Sequence, residues 1–420
     1  MKVYLRTFGC RANHYDTEVV RAMIETSGHA IVSSPAEADV ALFNSCAVTS
    51  DAEAELRKVV RRAARQQPAL RSVVMGCASA LDDDRAEALR VRSLPTVQHV
   101  IAGADLPAIA EALDLAPVAM SVLTRAQSGA RALLRIQDGC DEHCTFCATT
   151  LARGANRSRP VGELAEEARA LSEHHAEIVI TGIHIGTYGA DIGSSLGALL
   201  TRLVRDVPSV RFRLSSIEAT EIDDALLELL VGAPRNVVPH VHAPLQSGAD
   251  RVLRRMGRHW YSAASYSSAI ERIATRTPVL GLGADVIAGF PGETQQEHDA
   301  TVALIEQLPF TYLHVFPYSR RPGTSADRLR DHLQPPLIAA RAAELRALGD
   351  RKEAAYRASR SGGTADTVVI GAPHGRGERD AMTGDYLSVF PADAALPRGA
   401  RFTARLALQE NRLLAVPVDQ

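Results

Sequence analysis

ALLRIQDGCDEHCTFC, residues 132–147, is the stretch on which the fold turns. Its first seven residues read as a β-strand, and Cys140, Cys144 and Cys147 follow at once with C-x3-C-x2-C spacing. Three thiolates so close together wrap one side of a cubic iron–sulfur cluster and leave its fourth iron without a protein ligand, whereas electron carriers mostly use four cysteines. An open iron is a Lewis-acid position that a small chelating molecule can fill. Zinc held by the three cysteines with His143 or another histidine is the competing reading, although His143 sits between two ligands, where its side chain would point away. A disulfide within so tight a loop leaves one thiol over and strains the bridge.

Working outward from this loop, strand and helix signals alternate from Arg131 onward. Candidate strands are ALLRIQD, EIVITG, RFRLSSI, VVPHVH, LGADVIAGF and YLHVFPY, with helical stretches such as 162–175, 195–205 and 294–308 between them. Six βα units are too few for a closed eight-fold barrel of about 250 residues, so a partial (βα)6 barrel is expected. Pro335 and Pro336 open a long Ala/Arg/Glu-rich helix that Gly362 and Gly363 end. Beyond it TADTVVI, YLSVF, RFTARLAL and RLLAVPV read as short strands split by turn residues, the pattern of a small all-β barrel.

The N-terminal part is a second α/β unit. KVYLRTF, DVALF and SVVMG read as strands, Asn13 to Ser27 as a helix, and Ser50-Asp51-Ala52-Glu53 as a capping box opening a helix to about Gln67. Short apolar runs separated by amphipathic helices predict a parallel open sheet. Cys10, Cys46 and Cys77 each fall one to three residues past a strand end, the edge where ligands collect in such sheets. Burial as small apolar residues is the alternative for them. The expected organisation is an α/β domain over 1–115, a linker over 116–130, the partial barrel over 131–360 and the β-barrel over 361–420.

Composition bounds the rest. The 420 residues are 46% apolar and 23% charged, which excludes wholesale disorder. No apolar run approaches the ~18 residues of a membrane span, and MKVYLRTFGC shows no leader pattern, so a cytoplasmic protein without membrane association is expected. With 47 basic and 49 acidic residues, net charge gives no sign of a nucleic-acid partner; only local clusters can. Six cysteines in a reducing compartment argue against three disulfides.

Several segments carry a resemblance. C-x3-C-x2-C with Phe146 before its last cysteine resembles the signature of radical S-adenosylmethionine enzymes. TGIHIGTYGAD from Thr181, SSIEA from Ser215, PLQSGAD from Pro244, ADVIAGFPGET from Ala284 and HVFPYSRRPGTSA from His314 are similar to the methylthiotransferase branch. With GCRANHYDTE at Gly9 and NSCAVT at Asn44, they sit closest to the tRNA threonylcarbamoyladenosine methylthiotransferases. The resemblance covers essentially the whole chain and implies a terminal β domain of the TRAM type. It implies two [4Fe-4S] clusters, one on Cys140, Cys144 and Cys147 and an auxiliary one on Cys10, Cys46 and Cys77, with S-adenosylmethionine at the first. It places Phe146 on the adenine of that cofactor, Thr181 and Gly182 at its methionine amine, and Val286, Ile287 and Gly289 along the flanking strand. Ser215, Glu218, Gln246 and Ser247 would face cofactor and substrate from later strand ends; caps and turns are the plainer reading of each. The loop ATTLARGANRSRP, 148–160, lacks the proline expected after the triplet, which bears on its shape.

The implied reaction inserts sulfur and methyl at C2 of N6-threonylcarbamoyladenosine at position 37 of tRNA. Side-chain acid–base chemistry cannot remove such a hydrogen, so the cofactors carry the hard step and no catalytic histidine or carboxylate dyad is expected. An electron donor of flavodoxin or ferredoxin type and a sulfur source would be partners. For the RNA, Arg57 and Arg61 on the Ser50–Gln67 helix, Arg153, Arg157 and Arg159 past the cluster loop, and the group Arg251, Arg254, Arg255 and Arg258 are candidate phosphate guides; solvated helix faces are the alternative. Rival enzyme readings are the isopentenyladenosine methylthiotransferase and one acting on an aspartate of a ribosomal protein. An iron–sulfur electron carrier or RNA-binding scaffold without turnover is the rival from another class, though six cysteines are too few for two fully cysteine-ligated clusters.

Overall fold

The computed structural model describes residues 1–47, 50–80, 91–116, 122–372, 379–410 and 412–418, without the side chains of Ser50 and Asp51. The expected capping box therefore lies partly outside the described residues, as does part of the expected linker.

The N-terminal sheet is fully parallel, in the order β2 (Ala30–Val32), β1 (Lys2–Thr7), β3 (Val40–Ser45), β4 (Arg71–Gly76), β5 (Val97–Val100). Alternation along the buried inner strands splits its core into two layers. Val40, Leu42, Val73 and Met75 meet Val20, Met23 and Ile24 of helix α1 (Arg11–Thr26) on one face. Ala41, Phe43 and Val74 meet Leu56, Val60 and Ala63 of helix α2 (Ser50–Gln66) on the other. With helices on both faces, the carboxyl ends of β1, β3 and β4 share one open edge. The reading of the sequence missed β2, β5 and the helix Leu106–Ala112. Both are half-exposed edge strands, three and four residues long, too short for a strand pattern to show. The helix does carry a start signal, Asp105 capping Ala108 N with Pro107 in the first turn.

Six parallel strands build the central unit in chain order: β6 (Ala132–Arg135), β9 (Glu177–Thr181), β10 (Arg211–Leu214), β11 (His240–His242), β12 (Gly281–Ala288) and β13 (Tyr312–Pro317). They form two three-stranded ladders joined through the bridges Phe212–Val237 and Ser216–His242. Among the described residues β6 and β13 do not pair, so the barrel is partial. Between β6 and β9 the two-residue strands β7 (Gln137–Asp138) and β8 (Arg157–Ser158) pair antiparallel and close off the cysteine loop. VVPHVH yields only a three-residue strand, in keeping with the proline before it, which has no N–H to donate.

The helix Pro335–Ser359 packs Ala342, Leu345 and Leu348 into the barrel core and leads to a closed five-stranded barrel. Its strands are β14 (Thr364–Val369), β15 (Ala381–Thr383), β16 (Ser388–Pro391), β17 (Arg401–Gln409) and β18 (Arg412–Pro417). β16 starts two residues later than the reading of YLSVF has it, because Tyr386 turns the chain at φ 70°. A buried ionic knot seats this small barrel on the large one. Glu177 accepts from Arg211 and Arg213 at 2.6 and 2.7 Å, and the two guanidinium groups donate to the carbonyls of Asp366, Met382, Thr383 and Gly384. The α/β class, the open parallel sheet, the partial barrel and the terminal all-β barrel agree with the expectation from sequence.

Candidate active site

Cys10, Cys46 and Cys77 meet at the open edge of the first sheet. Gly9 makes this possible: at φ 94°, a Cβ there would stand 2.5 Å from Cys46 Sγ. Buried Asn13 organises the group. Its Nδ2 donates to Phe8 O at 3.1 Å and Ser45 O at 2.7 Å, leaving Oδ1 3.7 Å from Cys10 Sγ and 3.5 Å from Cys77 Sγ. Burial pushes the Cys77 thiol up to about 11 despite Arg153, so binding a metal there releases protons.

Cys140, Cys144 and Cys147 stand in a loop held by backbone contacts. Cys140 N donates to Gly154 O at 3.0 Å, Thr145 N to Met256 O at 2.8 Å and Ala326 N to Thr145 O at 2.8 Å. Gly139, at φ 73°, leaves no room for a Cβ against the Ala155 carbonyl. His184 Nδ1 lies 3.7 Å from Cys140 Sγ, and Arg258 Nη1 3.6 Å from Cys144 Sγ. Burial raises the Cys144 thiol to about 12, against Arg258. At His184 burial acts downward, but bonds to Cys140 and Glu221 outweigh it and raise the imidazole to about 10. His143 is exposed. Each trio offers three thiols, the soft donor set that an iron–sulfur cluster takes.

Arg153 joins the two trios. It leaves the short helix after the triplet and donates to Cys77 Sγ at 3.2 Å, Asn13 Oδ1 and Asp16 at 2.7 Å, and Asp138 at 3.0 Å. Between the first sheet and the barrel lies a cavity of about 560 Å³. Cys10, Cys46 and Cys77 line one side; Thr181, Ser215, His242, Asp285 and His314 line another, with Tyr386 of the small barrel at its end.

The chain is similar to known proteins. Residues 2–97 match the family described as Uncharacterized protein family UPF0004, and 134–305 the Radical SAM superfamily. The chain is 35% identical over 339 residues to a threonylcarbamoyladenosine tRNA methylthiotransferase of Rickettsia prowazekii, covering 77% of each chain. Its identity to the protein of that name from Bacillus subtilis is 35% over 374 residues, 84% of this chain and 81% of the other. The chain belongs to the radical S-adenosylmethionine methylthiotransferase family. A tRNA-2-methylthio-N(6)-dimethylallyladenosine synthase of Methylococcus capsulatus is 34% identical over 400 residues, 88% of this chain and 85% of the other. Among solved structures, the radical S-adenosylmethionine methyltransferase TsrM of Kitasatospora setae superposes with a TM-score of 0.56 at 14% identity, over 78% and 75% of the two chains; that likeness concerns the fold alone.

The cofactors of this methylthiotransferase family are S-adenosylmethionine and two [4Fe-4S] clusters. Around the 140–147 loop, Phe146 stands edge-to-face to Phe290, with their centroids 6.5 Å apart, and packs against the apolar cluster that includes Ile287 and Met256. Glu218 forms an ion pair with Arg258 and keeps a buried Oε2 with no partner among the described residues, an acceptor left over for a bound amine or hydroxyl. Thr181, Gly182 and Ser215 line the cavity, whereas Phe146, Glu218, Gln246, Ser247, Val286, Ile287 and Gly289 do not. Val286 is wholly buried, and Ser247 is taken up in a bond to Thr301 at 3.3 Å. Gln246, at φ 60°, bridges to Val286. Gly289 turns at φ 75° and donates to Glu293.

The candidate RNA contacts divide. Arg61 and Arg157 are exposed and Arg57 half-buried. Arg153 is committed to the carboxylates above, and Arg159 to Glu167 at 2.8 Å and Tyr15 at 3.0 Å. Arg251 pairs with Glu297, Arg255 with Asp331 and Arg258 with Glu218. Reading the sequence also missed a row of inward residues. His240 and His242 on β11 and Tyr312, His314 and Phe316 on β13 all line the cavity. Tyr312 Oη bonds His240 and His242 at 2.8 and 2.9 Å, and Asp285 receives His242 Nε2 at 2.9 Å and His314 Nδ1 at 3.3 Å. Their spacing of two was the available signal.

Proposed function

We propose that the protein methylthiolates C2 of N6-threonylcarbamoyladenosine at position 37 of tRNA. The observation that carries this is a single cavity in which three thiols at the strand ends of one sheet face the strand ends of a partial radical barrel. The curated relatives of threonylcarbamoyl type align with most of the chain. In this reading Cys140, Cys144 and Cys147 hold one [4Fe-4S] cluster, with S-adenosylmethionine bound by Phe146, Thr181, Gly182, Glu218 and the 286–289 strand end. Cys10, Cys46 and Cys77 hold the other.

The clusters and S-adenosylmethionine supply the radical and sulfur chemistry. The chain supplies position and exclusion of water. Asn13 and Arg153 fix the approach of the first sheet to the barrel, and the buried Glu218–Arg258 pair props the cysteine loop from below. The Asp285, His242 and Tyr312 chain stiffens the wall against which a flipped-out base would sit. Arg57, Arg61 and Arg157 would guide phosphates.

The same reading includes the division 1–115, 116–130, 131–360 and 361–420, a cytoplasmic setting, a flavodoxin- or ferredoxin-type electron donor and a separate sulfur source. Among the described residues no helix is long and apolar enough to cross a membrane. Mass spectrometry of tRNA nucleosides from cells lacking the protein tests the proposal. The methylthio derivative of threonylcarbamoyladenosine should disappear while its unmodified parent accumulates; loss of a methylthiolated isopentenyladenosine instead would overturn it.

A further inference from the structure

Resting on that reading of the substrate, we infer that Arg11 is the specificity residue that receives the carboxylate of the threonylcarbamoyl group. The two RNA bases named among the relatives differ in one decisive respect. The threonylcarbamoyl group ends in an anion, and the dimethylallyl group is a hydrocarbon.

Among the described residues the cavity contains one arginine left unmatched. Two arginines line it, Arg11 and Arg153. Arg153 is saturated by Asp16, Asp138, Asn13 and Cys77. Arg11, the residue after Cys10 and the first of helix α1, is half-buried, and its guanidinium makes no hydrogen bond or ion pair among the described residues. The one carboxylate among the described residues that line the cavity, Asp285, is occupied by His242 and His314. Glu18, which shares a neighbouring groove with Arg11, is held by Ser128 and Arg21. Among the described residues no carboxylate pairs with Arg11.

Its charge faces the substrate space. Burial holds His240 well below its usual range, and the charges of Arg213, His242 and Arg11 add to the effect, so the guanidinium is felt on the barrel wall. A guanidinium fork matches a carboxylate in two parallel bonds. A dimethylallyl group in the same place would desolvate the cation and return nothing, and a site that leaves a polar group unpaired rejects the wrong substrate strongly. The plainer role for Arg11 is to offset the negative charge of the three cysteines beside it. That role is blind to the substrate's carboxyl group.

The test uses the reconstituted protein under anaerobic conditions and three synthetic anticodon stem–loops. One carries threonylcarbamoyladenosine, one its threonine methyl ester and one dimethylallyladenosine. Wild type should bind the acid roughly 10- to 100-fold more tightly than the ester, the scale of a charge-assisted pair. Arg11→Gln should bring the acid to the level of the ester while leaving ester affinity, iron content and cluster absorbance unchanged. Arg11→Lys should keep part of the preference. An unchanged acid-to-ester ratio in Arg11→Gln, or an equal loss on all three RNAs, overturns the inference. Wild type that methylthiolates the acid without preferring it to the ester also overturns it and spares the substrate reading. Wild type that shows the Arg11-dependent preference yet methylthiolates only the dimethylallyl RNA upholds the carboxylate contact and sinks the substrate reading.

Discussion

The two cysteine trios are built in opposite ways. Cys140, Cys144 and Cys147 share one loop, whose shape is fixed within a few residues by Gly139 and by backbone bonds to the 154, 256 and 326 regions. Cys10, Cys46 and Cys77 come from three strands, and their assembly depends on the register of β1, β3 and β4 and on Asn13. A local motif survives damage to the rest of a fold, whereas a convergent one inherits every weakness of its sheet. In the proposed division of labour the loop starts the radical reaction and the convergent trio provides the sulfur, so the two should fail separately.

The largest effects test that separation. Cys140→Ala should lower both deoxyadenosine release and methylthiolation below about a thousandth of wild type, as expected when one part of an acting unit is removed. Cys46→Ala should remove methylthiolation to the same degree while deoxyadenosine release continues. Chromatography of both products from one anaerobic reaction measures this directly. Persistent methylthiolation in the Cys46 variant would break the comparison.

Next comes the residue on which both trios depend. Arg153→Ala takes from Asp16 and Asp138 one of the two cations they share, Arg135 being the other; Asp16 is 2% exposed and the Arg153 side chain 6%. Breaking a buried pair from one side costs about 3–5 kcal/mol; Arg135 offsets part of that, so the melting temperature should fall by less than a full pair's loss, and the auxiliary iron should be lost first. Arg153→Lys should recover little, because a single ammonium cannot satisfy four acceptors spread around a planar fork. A stable variant with full iron content would mean that the trios are independent.

This dependence on Arg153 also marks how far the sequence could be read. The inner strands of the first sheet were legible because both their faces are buried and their apolar runs are unbroken. The loop cysteines were legible from spacing alone. Arg153 was not, because its carboxylate partner Asp16 lies 137 positions away. A cluster of arginines past a metal loop looks the same whether it awaits phosphate or an internal carboxylate. Arg159 and Glu167 are near neighbours in sequence, but the pair's role became visible only with Tyr15 of helix α1 packed against it. Inside the barrel, the row of His240, His242, Tyr312 and His314 was hidden in strands read only for their apolar members.

Smaller and local effects should come from the two supporting glycines. Gly9→Ala and Gly139→Ala each force a side chain into a left-handed backbone and against a neighbour, Cys46 Sγ in the first case and the Ala155 carbonyl in the second. Strain of this kind costs about 1–3 kcal/mol. Each variant should lose about half of its iron by the two-trio account, and Mössbauer or electron paramagnetic resonance spectra should show a different cluster missing in each. Equal loss of both clusters in either variant would show that the trios fold as one unit.

The smallest effect sharpens the contrast between exposed and buried arginines. Arg61 is exposed on helix α2, whose other basic positions Lys58, Arg62 and Arg65 are exposed as well. Replacing it with alanine removes one mobile charge and no buried contact, so stability and iron content should not move. If the helix meets RNA phosphates, the plot of log affinity for tRNA against log salt concentration should become shallower by about one unit, since one fewer counterion is released. Near physiological salt that is a loss of only a few-fold, which a single-condition binding assay would miss. An unchanged salt slope would assign the face to solvent and leave the RNA contacts to Arg157 and the walls of the cavity.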